Sequence, residues 1–172
     1  LARENLTDHL EKKDKTNKIR QRLLKIRAKK VILATGALER PMVFNNNDRP
    51  GIMLSSAIKK YSDFYGVACG RKIVFFTNND SAYESALSLN DKGIKVEAIV
   101  DIRKQSETNL EKRVIDAGVK IYWEHTVVDT SGYKRLNNVS IMKLSNDGTS
   151  VTGNKISISC DCLGVAGGWT PA

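Results

Sequence analysis

Ile73-Val74-Phe75-Phe76 is a run of four apolar, β-prone residues, and Val96-Glu97-Ala98-Ile99-Val100 repeats the pattern with one interruption. Runs of this kind predict strands buried on both faces, because an exposed face would alternate with polar residues. Between the two runs lie Asn78-Asn79-Asp80-Ser81, a stretch at helical spacing through about Lys92, and Gly93 as its stop. Ser81 and Glu84 stand three apart, so a capping box is expected to fix the helix start. Strand, helix and strand over about thirty residues form a β-α-β unit, the first half of a Rossmann-type sheet.

The flanking sequence extends that unit. Asn109 to Ala117 predicts a helix stopped by Gly118, followed by a short strand from Lys120 to Trp123. The pattern then changes to alternation at His125 to Asp129, Leu136 to Leu144 and Lys155 to Cys160. Turn signals at Ser131-Gly132 and Asn146-Asp147-Gly148 make these an antiparallel meander. Upstream, Ser55 to Phe64 predicts a helix closed by Gly66. Arg20 to Arg27 and Lys29 to Thr35 predict two strands, the second fully buried, after a polar loop over residues 1 to 18. The stretch from Glu39 to Gly51 carries two prolines and three consecutive asparagines, which read as an irregular linker and a domain crossing. The expected fold is α/β: a Rossmann-like inserted domain, with a parallel sheet plus the meander, flanked by strands that the family resemblance set out below implies belong to an outer, incomplete FAD/NAD-type domain. The expected boundaries are 1–43 for the partial outer dinucleotide-binding domain, 44–159 for the inserted domain and 160–172 for a return strand to the outer domain.

Composition narrows the function classes. At 172 residues and 41% hydrophobic, the chain can bury a sizeable core. It contains neither an apolar run of membrane-spanning length nor a basic-then-apolar leader, so a soluble, cytoplasmic protein is expected. Cys69, Cys160 and Cys162 do not make a disulfide framework, and with only His9 and His125 beside them no metal site is expected. The net charge of +9 is local: residues 1 to 30 hold eleven Lys/Arg against four Asp/Glu. That arm contains no aromatic residue for base stacking, so nucleic acid is not the expected partner. A solvated face or a contact with an acidic partner subunit is expected instead, through residues such as Lys12, Lys13 and Lys15. The start at Leu1 and the end just after Gly167-Gly168 are read as the bounds of an internal fragment.

Two segments bear on nucleotide chemistry. A dinucleotide-binding turn requires G-x-G-x-x-G/A, glycines where the pyrophosphate touches the backbone and a small third residue where helix packs on strand. Here the three positions are Thr77, Asn79 and Ala82, with Asp101 as the terminal acid of the second strand. Only the third requirement is met. Either Thr77, Asn79 and Asp80 hydrogen-bond a different ligand, or the turn is a closed relic. The second segment, Val31 to Pro41 (VILATGALERP), runs an apolar strand into Ala34-Thr35-Gly36, where Gly36 permits a tight turn and close ligand approach.

Taken together, ATGALERPMVFNNNDRPGIM, FFTNNDSAY and GVAGGWTPA resemble the alpha subunits of heterotetrameric sarcosine oxidases, within the thioredoxin reductase-like flavoproteins that nest two nucleotide-binding domains. The resemblance covers nearly the whole chain. It implies an oxidoreductase that oxidatively demethylates sarcosine, passes the one-carbon unit to tetrahydrofolate and yields hydrogen peroxide. It implies beta, gamma and delta partner subunits, FAD on the beta subunit, FMN at the alpha–beta boundary and NAD in the alpha subunit's outer domain. The glycine-rich turn of that NAD site would precede Leu1, so the fragment alone is expected to hold no cofactor tightly. By position, Ala34, Thr35 and Gly36 would line the outer-domain cofactor pocket with Gly167 and Gly168 nearby; the alternative is a close strand crossing that needs small residues for packing. No catalytic residue is assigned. A non-catalytic assembly module of a related amine or opine oxidase is the second reading. A pyridine nucleotide-disulfide reductase is the third, and it lacks the required C-x-x-C, with Cys160 and Cys162 expected on opposite faces.

Overall fold

The computed structural model describes residues 1–11 and 18–172; the lysines expected in a partner contact, Lys12, Lys13 and Lys15, lie outside the described residues. The chain divides into two compact units, Leu1–Thr35 and Gly36–Ala172.

In the first unit, β1 (Ala2–Asn5) pairs antiparallel with β2 (Gln21–Leu24), from Ala2 opposite Leu24 to Asn5 opposite Gln21. The polar loop expected over residues 1 to 18 therefore begins as a strand. Its residues are polar on both faces, and Glu4 pairs with Arg22 across the ribbon, so no alternation betrays it. The expected buried strand at Lys29–Thr35 is not formed: Val31, Ile32 and Leu33 are 76%, 90% and 83% exposed. A buried strand requires a neighbour on each side, and the β1–β2 ribbon supplies none to it.

The second unit runs β3 (Ala37–Glu39), β4 (Ile52–Leu54), α1 (Ser55–Tyr65), β5 (Lys72–Thr77), α2 (Ser81–Asn90), β6 (Lys95–Asp101), α3 (Asn109–Asp116) and β7 (Lys120–Trp123). The meander β8 (His125–Ser131), β9 (Asn138–Leu144) and β10 (Val151–Ser159) follows, then β11 (Cys162–Ala166) and β12 (Trp169–Pro171). Five strands form a parallel sheet in the order β4-β11-β5-β6-β7. The helices cover one face, where Ile58, Phe75, Tyr83, Leu89 and Ile99 are buried together. The meander, in the order β10-β9-β8, covers the other face over Val74, Phe76, Val139, Ile141 and Leu163. Covering on both sides is the reason β5 and β6 are apolar at consecutive positions.

One strand and one helix cap are placed differently from the expectation. The chain after residue 159 supplies β11, the strand between β4 and β5, so Cys162–Ala166 belongs to the same sheet as the preceding β-α-β unit. It is built for that place. A Cβ on Gly164 would lie 2.5 Å from the Phe75 ring and 3.0 Å from Ile58 Cδ1, so only glycine lets α1 and Phe75 close over the strand. The capping box is also not formed: Ser81 N–H and Oγ–H both donate to Asn79 Oδ1, so the asparagine before Asp80 caps α2. Cys160 and Cys162 do face opposite ways, one into each core layer, and burial pushes both thiols up to about 12. Among the described residues, no helix is long and apolar enough to cross a membrane and no His/Cys/Asp/Glu group could hold a metal.

Candidate functional site

Parallel sheets place ligand sites at the carboxyl ends of strands where successive connections diverge. In the second unit that point is the crevice between β5 and β11. The chain leaves β5 through α2 on one face and re-enters at β11 from the meander on the other.

Thr77, Asn78 and Asn79 fill this crevice. Ala166 O accepts from the backbone N–H of Asn78 at 3.2 Å, from Thr77 Oγ1 at 3.3 Å and from Asn79 Nδ2 at 3.0 Å. Thr77 Oγ1 also donates to Asn79 O at 2.8 Å and accepts from Asn79 N at 3.0 Å. Asn79 Oδ1 is occupied by Ser81, and Asn78 Nδ2 reaches Gly167 O at 3.4 Å. The backbone N–H groups of Asn78, Asn79 and Ser81, which a glycine-rich turn would leave for a pyrophosphate, are thus spent on the protein itself.

Asp101, at the acid position of the fingerprint, is equally committed. Its carboxylate is buried and accepts from Tyr83 Oη at 2.9 Å, from Arg103 N at 2.8 Å, and from the Arg103 guanidinium, whose Nη2 lies 2.8 Å from Oδ2. The same guanidinium reaches Asp80 Oδ1 at 2.8 Å. The hydrogen bond to Asp101 pushes the Arg103 pKa above its ordinary value, and burial followed by the Asp101 charge pushes up that of Tyr83. A ribose hydroxyl finds no free acceptor there. The Thr77–Ala82 turn does not fit a dinucleotide.

The five residues expected beside a cofactor fall in both units, and the three in the second unit lie at opposite ends of the β3–β12 ribbon. Ala34 and Thr35 close the first unit, and Gly36 opens the second. Gly36 O accepts from Ala172 N at one end of the β3–β12 ribbon. Gly167 and Gly168 face Arg40 at the other end, four residues away and roughly 13 Å at about 3.3 Å per residue. Gly36 requires its residue type for conformation, with φ +80 and open space where a Cβ would sit. Gly167 requires it for space, because a Cβ would lie 2.8 Å from both Arg40 O and Pro41 O.

Two residues inside the expected linker carry structure that sequence reasoning missed. Glu39 is buried and its Oε2 accepts from Ser56 N at 2.9 Å, capping α1, whose own Leu54 cannot. Arg40 sits on the glycine pair. An acid placed two residues before a proline-asparagine stretch gives no local hint that it caps a helix some fifteen residues on.

The alpha subunit of sarcosine oxidase from Corynebacterium sp. (strain P-1) is 39% identical to the chain over 173 positions, covering 99% of this chain and 18% of that protein. The corresponding subunit from Rhizobium meliloti (strain 1021) is 38% identical over 151 positions, 88% of this chain and 14% of that protein. The chain matches a segment of sarcosine oxidase alpha subunits. It spans less than a fifth of the length of these relatives. No family model matches it. Thioredoxin reductase from T. acidophilum superposes with a TM-score of 0.62 at 16% identity, covering 80% of this chain and 43% of that one. A FAD-dependent pyridine nucleotide-disulphide oxidoreductase from Desulfovibrio vulgaris gives 0.58 at 17%, covering 88% and 38%. These likenesses show the Rossmann-like α/β fold.

Proposed function

We propose that this chain is part of the NAD-binding region of a sarcosine oxidase alpha subunit, and that the Gly36–Ala172 unit serves it as a scaffold. The observation that carries the reading is the 39% identity along 99% of the chain, joined to a β5–α2 turn in which Thr77, Asn78 and Asn79 bond the protein itself. In this reading the whole enzyme demethylates sarcosine oxidatively, passes the one-carbon unit to tetrahydrofolate and releases hydrogen peroxide. Beta, gamma and delta subunits, FAD and FMN complete it. NAD lies in the outer domain near Ala34, Thr35 and Gly36, while Gly167 and Gly168 hold the neighbouring strand crossing. Support for the outer location comes from the exposed run Val31-Ile32-Leu33: three adjacent apolar side chains in water are what a buried strand looks like when its neighbours belong to other parts of the polypeptide.

The test uses the full-length alpha subunit assembled with its partners. Sarcosine-dependent peroxide release and one NAD per alpha subunit after purification are expected. Gly36→Val is expected to lower NAD content, whereas Asn79→Ala leaves it unchanged. An assembled enzyme without sarcosine turnover refutes the activity. NAD lost from Asn79→Ala but retained by Gly36→Val refutes the location.

A further inference from the structure

A cleft of about 510 Å³ opens beside the carboxyl edge of the parallel sheet, lined by Arg40, Met42, Phe76, Asn78, Ile102 and Leu144 among others. Its size lies within the range of small-molecule sites. It is on the meander side of the sheet and adjoins the closed crevice at Asn78 and Gly167. None of its lining residues is acidic, and Arg40 alone among them is charged.

Arg40 is positioned by its backbone. Its N–H donates to Gly168 O at 2.8 Å and its carbonyl accepts from Gly167 N at 2.7 Å, continuing the β3–β12 ladder by one step. Pro41 follows, which restricts residue 40 to extended backbone. The guanidinium lies over Gly168, where a Cβ would be 3.2 Å from Nη2, and Asn78 Oδ1 would be 3.9 Å from the same point. Three other arginines of this unit are spent on the protein: Arg103 on Asp101 and Asp80, Arg49 on Thr130 and Gly132, Arg135 on Asp161. Among the described residues, no carboxylate pairs with Arg40. Three otherwise separate features of the sequence, the Arg-Pro pair, the Gly-Gly pair and Asn78, meet at this one guanidinium.

The geometry points to an oxyanion subsite at Arg40: the cleft takes a small ligand with a carboxylate or phosphate on the guanidinium and an apolar body against Met42, Ile102 and Leu144. A planar fork with five donors suits either oxyanion through paired hydrogen bonds. A pinned backbone leaves only side-chain freedom to be lost on binding, which favours affinity at a single charged contact. The inference stands on the cleft alone and does not require the sarcosine oxidase reading.

Saturation-transfer NMR on the assembled full-length enzyme tests it, with benzoate and phenyl phosphate as probes and benzyl alcohol as the uncharged control. Saturable binding of at least one anionic probe is expected, with benzyl alcohol at least tenfold weaker. Arg40→Gln is expected to weaken the anion tenfold or more and to leave benzyl alcohol unchanged. Lys60→Gln, an exposed cation outside the cleft, is expected to leave both unchanged. Preference for benzoate assigns a carboxylic acid ligand, and preference for phenyl phosphate assigns a phosphate ester. No saturable binding of either anion, or anion binding indifferent to Arg40→Gln, overturns the subsite. Arg40 has an exposed side chain and supports the ladder only through its backbone, so loss of binding in its variant is not loss of fold.

Discussion

Replacing Arg103 with Gln strips the guanidinium from a carboxylate that is 1% exposed, and the size of the effect follows from what remains. Breaking a buried pair by removing one partner costs about 3–5 kcal/mol when the surviving charge is left without compensation. Asp101 is not left so: Tyr83 Oη at 2.9 Å and the backbone N–H of residue 103 at 2.8 Å still donate to it. The Arg103 head is itself about one-third exposed, so part of its attraction is already screened. The expected loss is therefore about 2 kcal/mol, one charge-assisted contact rather than a stranded ion. Hydrogen exchange on the full-length subunit reads this locally, in peptides from β6 and α2. An opening free energy lower by about 2 kcal/mol speeds exchange roughly 30-fold. The double variant Asp101→Asn with Arg103→Gln is expected to exchange more slowly than Arg103→Gln alone, because no buried charge remains to be desolvated. Exchange within twofold of the parent in Arg103→Gln, or a double variant worse than the sum of the singles, would refute the claim that Asp101 is held by this clamp.

Other consequences of the geometry can be checked independently. Gly164→Ala puts a methyl group 2.5 Å from the Phe75 ring in the middle of the sheet, so about 1–3 kcal/mol is lost, read as a lower urea midpoint. Burial raises the Cys160 and Cys162 thiols to about 12, while Cys69 is only partly buried; in the native enzyme at pH 8, iodoacetamide followed by peptide mass spectrometry should label Cys69 first. Asp161 accepts from the N–H groups of Arg71 and Lys72 at 2.8 Å each, and although burial opposes it, these bonds hold its carboxyl below the usual range. A depressed folded-state pKa gives stability that is present above the unfolded value near 4 and lost as pH falls through the folded one. Asp161→Asn should lower the urea midpoint at pH 6 by the equivalent of about 1 kcal/mol and by less at pH 3. A difference that grows on acidification would contradict the assignment.

The parts of the fold legible in sequence were those with a period long enough to count. Ile73–Phe76 and Val96–Val100 announced strands covered on both faces, and the alternation from His125 onward announced a meander. The three-residue strands Ala37–Glu39, Ile52–Leu54 and Trp169–Pro171 carry no period at all, and only their partners define them. Val31-Ile32-Leu33 shows the limit from the other side: an apolar run states that something must cover it, without stating what. The site was half legible. Missing glycines at Thr77 and Asn79 foretold a poor phosphate turn, but their hydrogen bonds to Ala166 O depend on a strand nearly ninety residues away. Arg40 was hidden for the same reason, since its partners Gly167 and Gly168 lie at the far end of the chain.

The closed turn separates two demands that a dinucleotide-binding β-α-β unit ordinarily meets with one motif. The third fingerprint position must be small so that the helix packs on the sheet, and Ala82 keeps that property, fully buried in the helix-side core. The first two positions serve a phosphate, and there the chain has Thr77 and Asn79. Were the whole motif needed for folding, these substitutions would have cost the crossover. Instead Asn79 takes over the capping of α2, and with Thr77 and Asn78 it binds the end of β5 to β11 through a single carbonyl. Side chains at the two phosphate positions thereby supply hydrogen bonds to the end of β11, and a sheet without the phosphate glycines keeps its shape. What such a sheet can still offer is an edge, and the free charge at that edge is Arg40.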